Sequence, residues 1–292
     1  MEGYIDTLNR VIWSNDLVYL CLGAGAYFTL VTLFLQIRCI PDMIRQLKSG
    51  ESSEQGISSF QSLMISLAGR VGVGNIAGVA TAIAFGGPGA VFWMWLVALL
   101  GSATSFIECC LAQIYKETDR DTGEYRGGPA YYIEKAYKHT AAAPFMLVYA
   151  IIFAVCMLLA TAYFLPGIQA NGVAAAVDNA WGINTWVSAA IMTVLLAFII
   201  IGGVKRIANF ASMVVPFMAG IYIIIAIVVL FANASQIPEV FGTIVRAAFD
   251  KEAAFSGMLG AAIMWGVKRG IYSNEAGQGT GPQSAAAAEV SH

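Results

Sequence analysis

Residues 69–89 constrain this chain more than any other stretch. They read Gly69-Arg70-Val71-Gly72-Val73-Gly74-Asn75-Ile76-Ala77-Gly78-Val79-Ala80-Thr81 and then reach Gly86-Gly87-Pro88-Gly89. The apolar run around them is long enough to cross a bilayer, yet Gly72, Gly74, Asn75 and Gly78 lie in its middle. Glycine inside a helix costs about 1 kcal/mol relative to alanine, so the run is weakest where lipid most demands a helix. Backbone that leaves the helix at membrane depth survives only where it lines a protected cavity. One reading is therefore a spanning helix broken at its midpoint, with peptide groups turned to a bound solute. The other is a stripe of small residues for close helix packing.

A second copy favours the break. Residues 269–280 read Arg269-Gly270-Ile271-Tyr272-Ser273-Asn274-Glu275-Ala276-Gly277-Gln278-Gly279-Thr280. A shift of 199 positions, without a gap, lays Arg70 on Arg269, Asn75 on Asn274, Gly78 on Gly277 and Thr81 on Thr280. Alanine and glycine matches are cheap in such a chain, but arginine, asparagine and threonine matches at one register are not. Repetition of a polar, glycine-interrupted apolar segment points to a transporter binding site.

The rest of the chain suits a membrane. Of 292 residues 12% are charged and 58% hydrophobic, whereas soluble domains carry about 25% charged residues. Spans are expected at 17–36, 60–86, 91–115, 146–170, 184–203, 211–232 and 255–287, within a single transmembrane domain that takes in the whole of 1–292. The fold class is all-α, a polytopic membrane helix bundle. The segments 37–59, 116–145 and 204–210 hold Arg38, Arg45, Lys48, Lys116, Arg120, Arg126, Lys135, Lys138, Lys205 and Arg206, against Arg10, Arg246 and Lys251 on the other side. Lysine and arginine stay cytoplasmic, so those three segments are expected inside and the N-terminus outside. The second and seventh spans then run antiparallel, as in an inverted-topology repeat. Within 116–145, Gly127-Gly128-Pro129 predicts a turn and Ala130–Lys135 a short amphipathic helix.

Polar groups at membrane depth are candidate functional residues. Asn75 at the first break can ligate a cation through oxygen, hold a solute amine, or tie up the freed backbone. The Thr81 hydroxyl can serve a solute or bond back to its own helix. Pro166 and Gly167 can kink the fourth span, which ends in Gln169 and Asn171, neutral hydrogen-bonders suited to a zwitterion or to a solvated vestibule. Ser273, Asn274, Gln278 and Thr280 crowd the second break with Glu275 as its one acid. So few acids suit a carboxylate held at a broken-helix N-terminus better than a purely cationic solute, with an alkali ion on carbonyl and hydroxyl oxygen. No histidine, cysteine or carboxylate cluster suits a transition metal, and no nucleophile–base pair supports an enzyme. No cofactor is expected; the net charge of −2 says nothing about partners, but without a basic patch no nucleic-acid partner is expected either.

Gly72–Ile83 with Gly86–Trp95, Gly127–Tyr132 and Ser273–Gly277 together resemble the signature of the sodium:alanine (or glycine) symporter family. The resemblance implies a leucine-transporter-type inverted-repeat core with one extra N-terminal helix. It implies symport of a small neutral amino acid, alanine or glycine, with Na⁺ as coupling ion across the cell membrane. It places the solute between the broken second and seventh spans with the fourth lining the pocket, which points to Gly74, Asn75, Thr81, Gln169, Ser273, Asn274 and Gly277, without separating sodium from substrate contacts. Such a core needs two five-helix repeats, and His292 follows the seventh span, so the chain reads as truncated with the second repeat mostly missing. Rival expectations are an inactive fragment, a subunit of a split transporter completed by a second chain, and a channel.

Overall fold

The computed structural model describes residues 3–4, 7, 11–48, 56–249 and 258–290. Among these residues the only strands form one two-stranded antiparallel hairpin, β1 (Glu117–Thr118) with β2 (Tyr125–Arg126), and the rest of the regular structure is helical. The helices are α1 (Asn15–Val31), α2 (Leu35–Arg38), α3 (Ile40–Lys48), α4 (Ser59–Arg70), α5 (Val73–Gly86), α6 (Gly89–Tyr115) and α7 (Pro129–Ala136). They continue as α8 (Ala143–Leu159), α9 (Leu165–Trp181), α10 (Thr185–Ile200), α11 (Gly203–Ala232), α12 (Ile237–Ala248), α13 (Met258–Asn274) and α14 (Gly281–Ala287). Among the described residues four helical stretches are long and apolar enough to cross a membrane: Ser59–Gly86, Gly89–Tyr115, Ala143–Trp181 and Gly203–Ala232. Asn15–Val31 and Thr185–Ile200 are shorter apolar helices. The chain is a polytopic membrane helix protein.

Local chemistry sets several boundaries. Ser58 and Gln61 form a reciprocal capping box at the start of α4. Gly128, at φ +116, turns the chain so that Pro129 opens α7 at the first helical position, where a missing N–H costs nothing. The turn and short helix read from Gly127–Lys135 are both present. Pro166 lacks an N–H, and the ladder between α8 and α9 adjusts by a π-helical turn over Ala160–Phe164, in which the Leu165 N–H reaches the Ala160 carbonyl. Helix therefore runs on past Pro166 to Trp181, where the sequence sets the span's end near 170. Likewise α11 begins at Gly203, so 204–210 is helical, and α12 fills part of the connection between the sixth and seventh spans.

Contacts divide the chain into two compact units. One comprises Met1–Arg45, Gly74–Ile107 and Gly220–Gln278, the other Gln46–Val73, Glu108–Ala219 and Gly279–His292. In the first unit Val18, Val97, Val267 and Ile271 form one buried cluster, and Ala82, Ala90 and Met94 another. In the second, Met64 packs with Ala211 and Val215, and Ile57 with Ala208 and Ala288. These cores are small, and large apolar side chains such as Ile224, Phe231 and Leu195 stay on the outside. That pattern suits lipid, which is as apolar as leucine and leaves helix association to close packing and hydrogen bonds.

Outside the spans the second unit carries an ion-pair network. Arg126 meets Glu117 at 3.1 Å and Asp119 at 3.0 Å, and Lys135 meets Glu117 at 2.8 Å. The hydrogen bond from Lys135 holds the Glu117 carboxyl below its ordinary value. Burial pushes the Tyr132 phenol well above its ordinary value, helped by Glu108.

Candidate functional site

The second span is broken as its glycines predict. Helix α4 ends at Arg70, the Val71 N–H bonds Leu67 O at 2.9 Å, and α5 starts at Val73. The break occupies only Val71 and Gly72, which puts Asn75 in the first turn of α5 rather than in the gap. Gly78 is buried inside α5. A helix's first turn leaves N–H groups without intrahelical acceptors. Here one is met from a distant part of the chain: Gln169 Oε1 accepts from the Val73 N–H at 3.2 Å. Glycine makes that approach possible, because a Cβ on Gly72 would lie 3.1 Å from Gln169 Oε1 and one on Gly172 2.7 Å from Val73 Cγ2.

The segment expected as the seventh span is interrupted over more residues. Helix α13 stops at Asn274 and α14 starts at Gly281. Between them Glu275 (φ 55), Gly277 (φ 81) and Gly279 (φ 80) take the left-handed conformation. The gap binds itself. The Glu275 N–H and the Gln278 amide both donate to Ile271 O, at 2.9 and 3.0 Å, and Asn274 Oδ1 accepts from the Ala276 N–H at 3.0 Å. Gly279 lies where a Cβ would come 2.7 Å from Phe153 Cζ and 2.9 Å from Pro129 Cγ. Beyond it, Ser284 takes a hydroxyl hydrogen bond from Ser62 on its carbonyl at 2.9 Å and shares one with the Ser66 hydroxyl at 2.8 Å. The last carbonyls are met by the Lys116 ammonium at Ala288 O (2.7 Å) and by the Gln113 amide at Ala285 O and Ala288 O.

Within the first unit the two spans meet. The Ser273 hydroxyl donates to Asn75 Oδ1. A Cβ on Gly74 would sit 3.2 Å from Tyr272 Cδ1 and 3.3 Å from Ser273 Cα, so only glycine lets the backbones come this close. The structure thus brings together Gly74, Asn75 and Ser273. It turns Asn274 elsewhere, with its amide against Gly101 of α6. A Cβ on Gly277 would make only an ordinary contact, 3.9 Å from Thr104 Cγ2, so its left-handed φ is what calls for glycine. Thr81 bonds back to Ala77 O at 2.6 Å, as the second of its two readings has it. Gln169, within α9, serves the first break; Asn171 instead lines an open cavity of about 560 Å³ with Val73, Tyr163, Phe164 and Gly167.

The boundaries between the two units fall in these same spans, between Val73 and Gly74 and between Gln278 and Gly279. Sequence reasoning missed Gly72 and Gly172 as the residues that admit Gln169, and missed Tyr272, whose ring flanks Gly74 while its hydroxyl is buried with no hydrogen-bond partner among the described residues. The available signal was the glycine spacing itself, which marks close approach without naming what approaches.

A model of the sodium:alanine symporter family matches residues 1–292. The chain is 54% identical over 292 residues to a putative sodium/proton-dependent alanine carrier protein, YrbD, of Bacillus subtilis, covering all of this chain and 58% of that protein. It is 45% identical over 294 residues to the probable sodium/glutamine symporter GlnT of Bacillus subtilis, covering 60% of it, and 42% identical over 293 residues to the sodium/alanine symporter AgcS of Methanococcus maripaludis, covering 63%. The chain thus spans about three-fifths of the length of the curated relatives it matches, as 58%, 60% and 63% show. The family model takes in residues 1–292 as a whole, and the comparisons give no support to a second chain supplying helices. With the glycine-broken spans in place and the family model matched from end to end, this chain belongs to the sodium:alanine symporter family.

Proposed function

We propose that the whole protein carries out secondary active symport of a small neutral amino acid, alanine or glycine, with Na⁺ across the cell membrane. The family is one of transporters rather than enzymes. The observation that carries the reading is the meeting of the two broken spans at Gly74, Asn75 and Ser273. There the first turn of α5 offers N–H groups and the positive end of a helix dipole, the arrangement that favours a carboxylate. The Asn75 amide and Ser273 hydroxyl supply neutral oxygen for an alkali ion or hydrogen bonds for an ammonium group. Thr81 gives its hydroxyl hydrogen to Ala77 O and keeps its oxygen lone pairs for the ion. Gln169, Asn274 and Gly277 act on the site by holding the breaks open. The proposed core is of leucine-transporter type with an extra N-terminal helix, and its N-terminus lies outside.

Two of the named relatives are called alanine proteins and one a glutamine symporter, so the choice among small neutral side chains is part of the proposal. The test is uptake of labelled alanine into proteoliposomes under an inward Na⁺ gradient, with glycine, glutamine and leucine as competitors. Accumulation is expected with Na⁺ and not with K⁺, with glycine competing and leucine not. Asn75→Ala is expected to abolish uptake while the protein still reaches the membrane. Unchanged uptake by that variant would remove the leading residue.

A further inference from the structure

The first unit contains a cavity whose lining does not include Gly74, Asn75 or Ser273. It lies between α1, α6 and the second break, has a volume of about 220 Å³, and is walled by Leu17, Cys21, Val97, Thr104, Asn274 and Gly277 among others. Its lining is aliphatic apart from the side chains of Cys21, Thr104 and Asn274. No carboxylate, lysine or arginine lines it.

Asn274 sets the chemistry. Its Oδ1 is occupied by the Ala276 N–H at 3.0 Å, which fixes the orientation of the amide and leaves Nδ2 as the free end. Nδ2 is buried and has no hydrogen-bond partner among the described residues. A buried donor without an acceptor is costly, and native structures rarely keep one unless something else fills the place. The side chain is therefore turned away from Asn75, whose partner is the preceding residue, Ser273.

We propose that this cavity binds a small neutral molecule, mostly hydrocarbon, that carries one hydrogen-bond acceptor, such as an alcohol or ketone, with the acceptor on Asn274 Nδ2. The volume is ample, since an apolar cavity of roughly 150 Å³ holds benzene. A cation finds no carboxylate in the lining and an anion no counter-charge, so neither finds its desolvation offset. An aliphatic wall with a few placed polar groups is the usual make-up of a small-molecule pocket. Because Asn274 follows Ser273 in the chain, an occupant bears on the residue next to the one that bonds Asn75, which makes the cavity a place from which the second break can be modulated. The inference stands on the cavity alone and does not depend on the identity of the transported solute.

Cys21 provides the readout. In detergent-solubilised protein, modification of each cysteine by methyl methanethiosulfonate is followed by peptide mass spectrometry, with exposed Cys156 as internal control. Cyclohexanol is expected to slow modification of Cys21 several-fold without affecting Cys156. Methylcyclohexane, of the same shape but with no acceptor, is expected to protect markedly less. Asn274→Leu should erase the difference between the two probes. Ala24→Phe, which fills the cavity from α1, should erase protection altogether and decides the matter if the Asn274 variant does not fold. Absence of protection by cyclohexanol overturns the proposal. Equal protection by both probes also overturns it, because the cavity would then be an apolar hole without recognition.

Discussion

The two breaks answer the same problem in opposite ways. The first is brief, two residues between α4 and α5, and is sealed from elsewhere in the chain by one side chain, Gln169 on the Val73 N–H. The second covers Glu275–Thr280 and is sealed largely by its own residues, with Asn274 and Gln278 capping the end of α13. A helix N-terminus needs an acceptor to be brought to it, whereas the C-terminal end of a helix can be closed by the N–H groups that follow it. The first break is therefore tied to a side chain brought from α9, whereas the second is largely self-supporting.

The comparison can be broken most forcefully at Gly279. Valine there meets Phe153 and Pro129 and takes on a left-handed backbone, so Gly279→Val is expected to cost about 2–5 kcal/mol by the usual figures for overpacking and for left-handed φ. Loss of monodisperse protein on size-exclusion chromatography, or a collapse of thermal stability in detergent, would register it. Gly277→Ala faces the same backbone demand with only an ordinary contact to Thr104 and should cost only about 1–2 kcal/mol. Equal losses from the two would mean that backbone strain, not packing, governs the second break.

Next is the first break's single tie. Gln169→Leu leaves the Val73 N–H without its acceptor and should cost about 1–3 kcal/mol. Gly72→Ala presses on the same amide, so the double variant should lose less than the sum of the single losses, by at least about 0.5 kcal/mol. Additive losses in thermal unfolding would show that Gln169 and the break are independent.

The smallest effect concerns the anchor of α14 outside the spans. Lys116, which holds Ala288 O, is followed by Glu117 in the ion-pair network. Because the Glu117 carboxyl is held below its ordinary value, its contribution is fully present above about pH 4.3 and fades as pH falls through the folded value. Hydrogen exchange of residues 117–126 should therefore be slow at neutral pH and quicken only in acid. Quickening already between pH 7 and 5 would assign the restraint to another group.

Much of this was legible in the residues. Gly72 and Gly74 with Asn75 announce a break because lipid offers backbone no water, and the repeat at Ser273–Gly277 announces its partner. Gly128-Pro129 announces the start of α7. The length of α9 was not legible: Pro166-Gly167 reads as an end, yet one π-helical turn lets the ladder continue, an adjustment that depends on neighbours along the whole helix. Nor was the fate of each asparagine. Asn75 and Asn274 match at one register of the repeat, but one faces Ser273 and the other faces a cavity.

The sequence by itself determined that the chain enters a membrane, where two spans fail as helices, and which small and polar residues attend the failures. Those properties are local, following from hydropathy, backbone freedom and the absence of water. Only the tertiary structure decided which group meets which: that Gln169 reaches Val73, that Gly74 lies against Tyr272 and that Asn274 turns to α6. Pairing across long stretches of chain depends on how helices cross, and crossing is set by shape complementarity that no single residue encodes.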